Sequence, residues 1–242
     1  MQIFYHGHSS IQLTTEGGSL IFDPFLRGNP LAVTKPEDVR VDHVLLTHAH
    51  GDHIQDAGPI AQANGAPIVA IVELATYFSG KGAKTIGMNM GGTVDLGYAK
   101  AKMIQAFHSS GIALEDGRVQ YAGMPAGFIV QAEGLTLLHA GDTALFSDMK
   151  MIGDRHPIDI AFLPIGDHFT MGPDDALQAA EWFGAKLVVP VHYDTFPPIR
   201  QDSERFAERL EAQGRRGRVM APGEKLEITT ESLRKLIARD GK

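Results

Sequence analysis

The chain has 242 residues, 43% apolar and 21% charged, with a formal net charge of −7 and no cysteine. This length and apolar content suit one compact α/β domain over 1–242, and no low-complexity run or linker interrupts them. The acidic balance argues against general nucleic-acid binding, no apolar stretch approaches the about 18 residues of a membrane span, and any bound metal must rest on nitrogen and oxygen donors alone. The chain opens directly on strand-like Gln2-Ile3-Phe4-Tyr5 without a basic segment and apolar stretch, so the cytoplasm is its expected location.

In chain order, short apolar runs between glycine-rich turns predict strands at Ile3 to Tyr5, Ile11 to Thr14, Leu20 to Phe22 and Val44 to Thr47. A helix is expected over Ile54 to Ala63, a strand over Pro67 to Ala70, a helix over Glu73 to Phe78, and strands near Thr85 and Val94. A second strand series follows at Ala101 to Phe107, Val119 to Tyr121, Gly127 to Gln131 and Leu135 to His139. The last third alternates: strand Ile158 to Leu163, proline-opened helix Pro173 to Phe183, strand Leu187 to Val191, helix Ser203 to Ala212. Two strand-rich stretches, each followed by helices, predict two sheets packed face to face with helices outside, an αββα sandwich.

The chemistry concentrates at Thr47-His48-Ala49-His50-Gly51-Asp52-His53. Three imidazoles and a carboxylate within six positions need partners if they leave water, and a divalent cation partners all of them. If the strand continues, His48 and His50 share a face and grip one ion; Asp52 and His53, being adjacent, are expected to open a helix and aim at a second. The donor set fits Zn2+, with Mn2+, Fe2+ or Ni2+ acceptable. Solvated histidines on a loop are the alternative. Further ligand-type residues close predicted strands: His108, Asp142 and His192. Each alone is as well read as structural, but with the cluster they point to a dinuclear site.

The HxHxDH cluster, then His108, Asp142 in His139-Ala140-Gly141-Asp142-Thr143, and His192, resembles the metallo-β-lactamase superfamily across nearly the whole chain. The resemblance implies one ion on His48, His50 and His108, another on Asp52, His53 and His192, Asp142 bridging them, and a bridging water or hydroxide as nucleophile. Tyr5-His6-Gly7-His8-Ser9-Ser10, Ile21-Phe22-Asp23-Pro24-Phe25 and Met171-Gly172-Pro173-Asp174-Asp175-Ala176 resemble the YtkL-like metal-dependent hydrolases. More distant similarity reaches ascorbate-phosphate lactonases and N-acyl phosphatidylethanolamine phospholipase D enzymes. The lack of a leader weighs against antibiotic hydrolysis. His50 stands where di-iron oxygen-reducing relatives carry glutamate, which weighs against a redox role.

The expected activity is hydrolysis of an ester, lactone or phosphodiester bond in a small molecule, with Asp52 orienting the nucleophile. A metal-holding or sensing protein without turnover is the alternative. Asp23 is a candidate acceptor for a ligating imidazole, competing with a turn-capping role. His8 enters mainly through the subgroup resemblance, and His168 is a candidate leaving-group acid against a solvent-facing loop residue. His6, His43, His139 and His156 are left outside the site, with His139 expected beneath the Gly141-Asp142 turn. The methionines are expected to fill core. The loops from Arg27 to Lys35 and Lys81 to Gly92 are expected to shape specificity, and Ile86 to Gly92 could serve self-association.

Overall fold

The computed structural model describes residues 1–238. Its elements run β1 (Gln2–Gly7), β2 (Ser10–Thr14), β3 (Ser19–Phe22), β4 (His43–Leu45), α1 (Gly51–Ile54), α2 (Ala57–Asn64), β5 (Ile68–Ile71), α3 (Val72–Gly80) and β6 (Thr85–Met88). After residues 89–92 come β7 (Thr93–Asp95), β8 (Lys100–Gln105), β9 (Gly111–Ala113), β10 (Val119–Tyr121), β11 (Ala126–Ala132), β12 (Leu135–His139), α4 (Asp148–Arg155) and β13 (Ile160–Pro164). The chain finishes with α5 (Pro173–Phe183), β14 (Leu187–Val191), α6 (Ser203–Ala212), β15 (Arg216–Gly217), β16 (Lys225–Glu227) and α7 (Thr230–Ala238).

Two seven-stranded sheets result, ordered β16-β1-β2-β3-β4-β5-β6 and β15-β14-β13-β12-β11-β8-β7, with β9 and β10 forming a separate hairpin. Strand alternation divides the second sheet's side chains between two cores. Phe128, Val130, Leu137, Ile160, Phe162 and Val189 join the first sheet's Ile3, Ile11, Leu20, Val44 and Ile68. Ile129, Leu138, Ala161, Leu163 and Val188 face the opposite way, onto Met149, Leu177, Phe183, Phe206 and Leu210 of α4, α5 and α6. Ile60, Leu74 and Phe78 of α2 and α3 are buried against the first sheet. This is the expected αββα arrangement.

Pairing directions decide where the functional residues emerge. β1–β2 and β2–β3 pair antiparallel and β3–β4 parallel, so β1, β3 and β4 run the same way. In the second sheet β8–β11 and β11–β12 are antiparallel while β12–β13 and β13–β14 are parallel, which aligns β8, β12, β13 and β14. Every candidate ligand follows the C-terminal end of one of these aligned strands, the edge where open α/β sheets present their loops.

The two sheets are stitched together at that edge. Ala126 N donates to Thr47 O at 2.9 Å, His192 N to His8 O at 2.9 Å, and His139 Nε2 to Ser9 O at 2.8 Å. Gly141 sits at φ +64°, and a Cβ there would run into Ala126 O and stand 3.0 Å from Thr47 Cβ. The closeness of the two sheet ends therefore requires glycine at 141.

Several boundaries differ from the sequence reading. β4 stops at Leu45, leaving His48 and His50 in a loop, and β8 stops at Gln105 rather than Phe107. The helix expected over Ile54 to Ala63 is divided into α1 and α2 around buried Asp56. The Asp56 carboxylate accepts from Leu26 N at 2.7 Å and Arg27 N at 2.9 Å, while its own N–H reaches Pro24 O at 3.1 Å. Tying down the 24–27 loop takes precedence over helix continuity there. α4, α7, β9, β15 and β16 are additional to the expected elements.

Candidate metal centre

Asp142, on the Gly141 turn after β12, is the focus of the site. Four imidazole Nε2 atoms approach its Oδ2: His192 at 3.0 Å, His53 at 3.3 Å, His108 at 3.6 Å and His48 at 3.8 Å. Three groups of donor atoms form beside it, His48 with His50 and His108, Asp52 with His53, His192 and His8, and Asp23 with His48 and His53, each group's atoms lying within 4.8 Å of one another. His48 Nε2 lies 3.0 Å from His50 Nδ1, which lies 3.3 Å from His108 Nε2. All seven ligands expected from the sequence thus come together. The pairing of His48 and His50 arises from the loop's path, which brings together different nitrogens of the two rings, rather than from strand alternation.

Beneath these donors lies a fixed layer of hydrogen bonds. Asp23, fully buried at φ +44°, accepts from Thr47 N at 2.8 Å, from Thr47 Oγ1 at 2.6 Å and from His53 Nδ1 at 2.9 Å. Because the Thr47 hydroxyl donates to Asp23, it is free to accept from His48 Nδ1, 3.0 Å away. Both rings therefore carry their proton on Nδ1 and present a bare Nε2 inward. His8, buried at φ +56°, spans Asp52 Oδ2 at 3.2 Å through Nε2 and Thr195 Oγ1 at 2.9 Å through Nδ1. A carboxylate only accepts, so His8 donates from Nε2 to Asp52 and accepts a hydrogen bond from the Thr195 hydroxyl at Nδ1. That bond orients Asp52. His192, at φ +54°, completes a trio of left-handed non-glycine residues around the cluster, backbone strain of the kind concentrated at functional sites.

The electrostatics match a cation-binding cluster. Burial, reinforced by His53, holds the His48 imidazole well below its ordinary range. Burial also pushes His8 down to about 4, with His192 adding to the effect against the Asp52 hydrogen bond. Burial would raise Asp142, but His192 and His53 override it and hold the carboxyl well below the carboxylate range. For His53 the lowering by burial is overcome by Asp142 and Asp23, so its pKa is raised.

Whether a metal fits is decided by the buried atoms left over. His53 Nε2 and Asp142 Oδ1 are buried without a hydrogen-bond partner, although the cluster surrounds them. Buried polar atoms without partners are costly, and nitrogen and oxygen donors that converge within 3 to 4 Å fit a shared cation. The donor set of nitrogen and carboxylate oxygen suits a divalent transition metal. The cluster is closed beneath and open on one side, where Asp52 keeps 29% of its side chain exposed and His108 13%.

His168 stands apart. It is exposed on the loop after β13, edge-on to Phe169 at 4.5 Å, and joins none of the contacts that tie the cluster together among the described residues. It lies two residues beyond Gly166, where a Cβ would meet His192 O. His139 lies under the turn, accepting from Gly141 N at 3.2 Å. The sequence reading did not include Thr47, Thr195, Ser109 or Ser110. Ser109 Oγ is 3.2 Å from His50 Nε2, and Ser110 Oγ accepts from Ala49 N at 3.2 Å. Thr47 adjoins the motif and was accessible to reasoning about what partners a ligating ring; Thr195 and the serines carry no signal until the fold places them.

A family model described as the beta-lactamase superfamily domain matches residues 19–193. A UPF0173 metal-dependent hydrolase of Geobacillus thermodenitrificans (strain NG80-2) is 54% identical over 228 residues, covering 94% of this chain and all 100% of the relative. The UPF0173 metal-dependent hydrolase YtkL of Bacillus subtilis (strain 168) is 53% identical over 229 residues with the same coverage, 94% and 100%. Among solved structures, Igni18, described as a novel metallo hydrolase from the hyperthermophilic archaeon Ignicoccus hospitalis KIN4/I, aligns with a TM-score of 0.85 at 37% identity, covering 94% of this chain and 99% of that one. Sequence, fold and donor cluster agree: this chain belongs to the β-lactamase superfamily, among the UPF0173 metal-dependent hydrolases.

Proposed function

We propose that the chain is a dinuclear hydrolase, with one divalent cation on His48, His50 and His108, a second on Asp52, His53 and His192, and Asp142 between them. The observation that carries this reading is the approach of four imidazole nitrogens to a single Asp142 oxygen, from residues of two separate donor groups. Zn2+ is the first choice for both positions, with Mn2+, Fe2+ and Ni2+ compatible. Such cations supply an acidified water at neutral pH and polarise the oxygen of the bond to be cleaved.

The protein's own groups do the rest. Asp52, held by His8 and partly exposed, faces the open side and is suited to orient an attacking water and take its proton. Buried Asp23 and Thr47 fix the tautomers of His53 and His48 before any substrate arrives. His168, on the loop beside Gly166, is the proposed proton donor to the leaving group. The reaction class is hydrolysis of an ester, lactone or phosphodiester in a small molecule.

The test combines metal analysis of the purified protein with a panel of p-nitrophenyl esters, lactones and bis(p-nitrophenyl) phosphate. Two metals per chain are expected, with turnover reduced about 10²- to 10⁴-fold in Asp52→Asn. One metal per chain, or undiminished turnover in Asp52→Asn, rejects the proposal. Two metals with no turnover on any member favours the metal-holding alternative.

A further inference from the structure

Beside the open side of the cluster lies a groove of about 700 Å³, with His50 and His108 in its lining. One wall is the β9–β10 hairpin, which contributes Val119 and Tyr121; the other is formed by Phe107 and Met124. These four side chains are 73%, 65%, 59% and 53% exposed, and they make up half of the eight large apolar residues left exposed on the described chain. Large apolar groups gathered in one place, rather than scattered, mark a binding surface. The volume lies within the range of small-molecule sites.

The groove's charge is as informative as its shape. No lysine, arginine, aspartate or glutamate lines it, and its polar groups are imidazoles, Gln105 and the hydroxyls of Ser109, Ser110 and Tyr121. Phosphate and carboxylate groups are typically recognised by arginine or lysine. An anionic substrate would find no such partner along this wall, whereas an uncharged chain or ring would bury apolar area against it. The exposed Ser109 hydroxyl beside His50 is placed to donate to a substrate oxygen at the cluster end.

We infer that the substrate is an uncharged carboxylic ester or lactone whose alkyl or aryl portion lies along Phe107, Val119, Tyr121 and Met124, with its carbonyl at the His50–His108 end. This rests on the hydrolytic reading above and narrows it. The reaction balances with water alone: an oxygen of water bonds to the carbonyl carbon, the bond from that carbon to the alkoxy oxygen breaks, and the alcohol and acid together keep both protons. The occupant is substrate rather than a second copy of the chain because anything filling the groove abuts two residues of the candidate metal centre.

The test reads binding separately from turnover. Metal-loaded protein labelled at the methionine methyls, with Met124 assigned through Met124→Leu, is titrated with the unreactive amides from propanamide to octanamide. Affinity read at Met124 is expected to rise about threefold per methylene, to fall at least tenfold when hexanamide is replaced by the anionic adipamic acid, and to lose its length dependence in Val119→Ser. In parallel, p-nitrophenyl hexanoate is expected to surpass the acetate in kcat/KM by roughly eighty-fold on the same scale. Hydrolysis without length dependence, equal binding of adipamic acid, or a Met124 signal that moves with protein concentration alone overturns the groove assignment and leaves hydrolysis standing. Length-dependent binding with no turnover of any ester overturns the hydrolytic reading and the ester with it.

Discussion

Replacing Asp23 by Asn is the sharpest test of how the metal centre is held. Asn tolerates the left-handed backbone at 23 and keeps an oxygen for Thr47 N, so the perturbation falls on Oδ2, which accepts from Thr47 Oγ1 and His53 Nδ1. An amide nitrogen there donates instead. His53 must then carry its proton on Nε2, which blocks the nitrogen facing Asp142. Losing the orienting partner of a ligating histidine typically costs 10- to 100-fold in metal affinity, or about 1.4 to 2.8 kcal/mol. The metal-free fold loses two bonds to a buried carboxylate, each worth about 1.5 to 3 kcal/mol, partly offset by the new donor. A net loss of about 3 kcal/mol corresponds to a fall in Tm of roughly 6 to 12 °C. Competition with a chromophoric chelator and thermal unfolding of the chelated protein measure the two effects. Unchanged affinity in a folded Asp23→Asn protein would refute the argument that this carboxylate sets the ring's tautomer.

Chelation of the wild-type protein is expected to lower Tm by roughly 5 to 10 °C, since a metal at 100 times its Kd adds about 2.7 kcal/mol; an unchanged Tm would mean that the cluster is stable without cations. Gly141→Ala is expected to destabilise by about 2 to 4 kcal/mol through the left-handed φ and the contact with Ala126 O, and to halve or worse the metal bound per chain; denaturant titration and metal analysis read both. His6 lies outside the centre, and burial lowers it to about 4 against a weak raising contribution from Gln12. The folded state favours neutral His6, so its contribution is complete above pH 6.5 and is lost as pH falls towards 4; denaturant titration should show His6→Leu losing about 2.5 kcal/mol less stability than wild type between pH 7 and 4.5. An identical pH slope in the variant would show that His6 does not titrate this way.

Much of this arrangement was legible because each message was local. Short apolar runs placed Leu135 to His139 and Leu187 to Val191, and proline at the first helical position placed Pro173 to Phe183, all at the bounds the structure has. The histidine motif is legible for the same reason: its donors lie within one loop. Features depending on long-range partners were not. Asp56 breaks a helix because of amides 29 and 30 residues earlier, and no periodicity encodes that. Thr195 matters only because His8 lies against it, 187 positions away in sequence. The short edge strands β15 and β16 owe their extension to neighbours rather than to their own apolar pattern. The hairpin beside the cluster, with Val119 and Tyr121 exposed, reads in sequence as an ordinary strand; its apolar surface gains meaning only from what stands next to it.

The chain crosses from the first sheet to the second at residues 89–92, returning to the first only with β16, and the donors divide at that crossing: His48, His50, Asp52 and His53 precede it, His108, Asp142 and His192 follow. Neither half carries a complete coordination shell. Each proposed cation would act as a rivet through both halves, adding to the shared core and the backbone bonds that already join them. Catalytic competence would then report assembly itself: a chain whose halves had folded but not yet met would hold no centre with which to act.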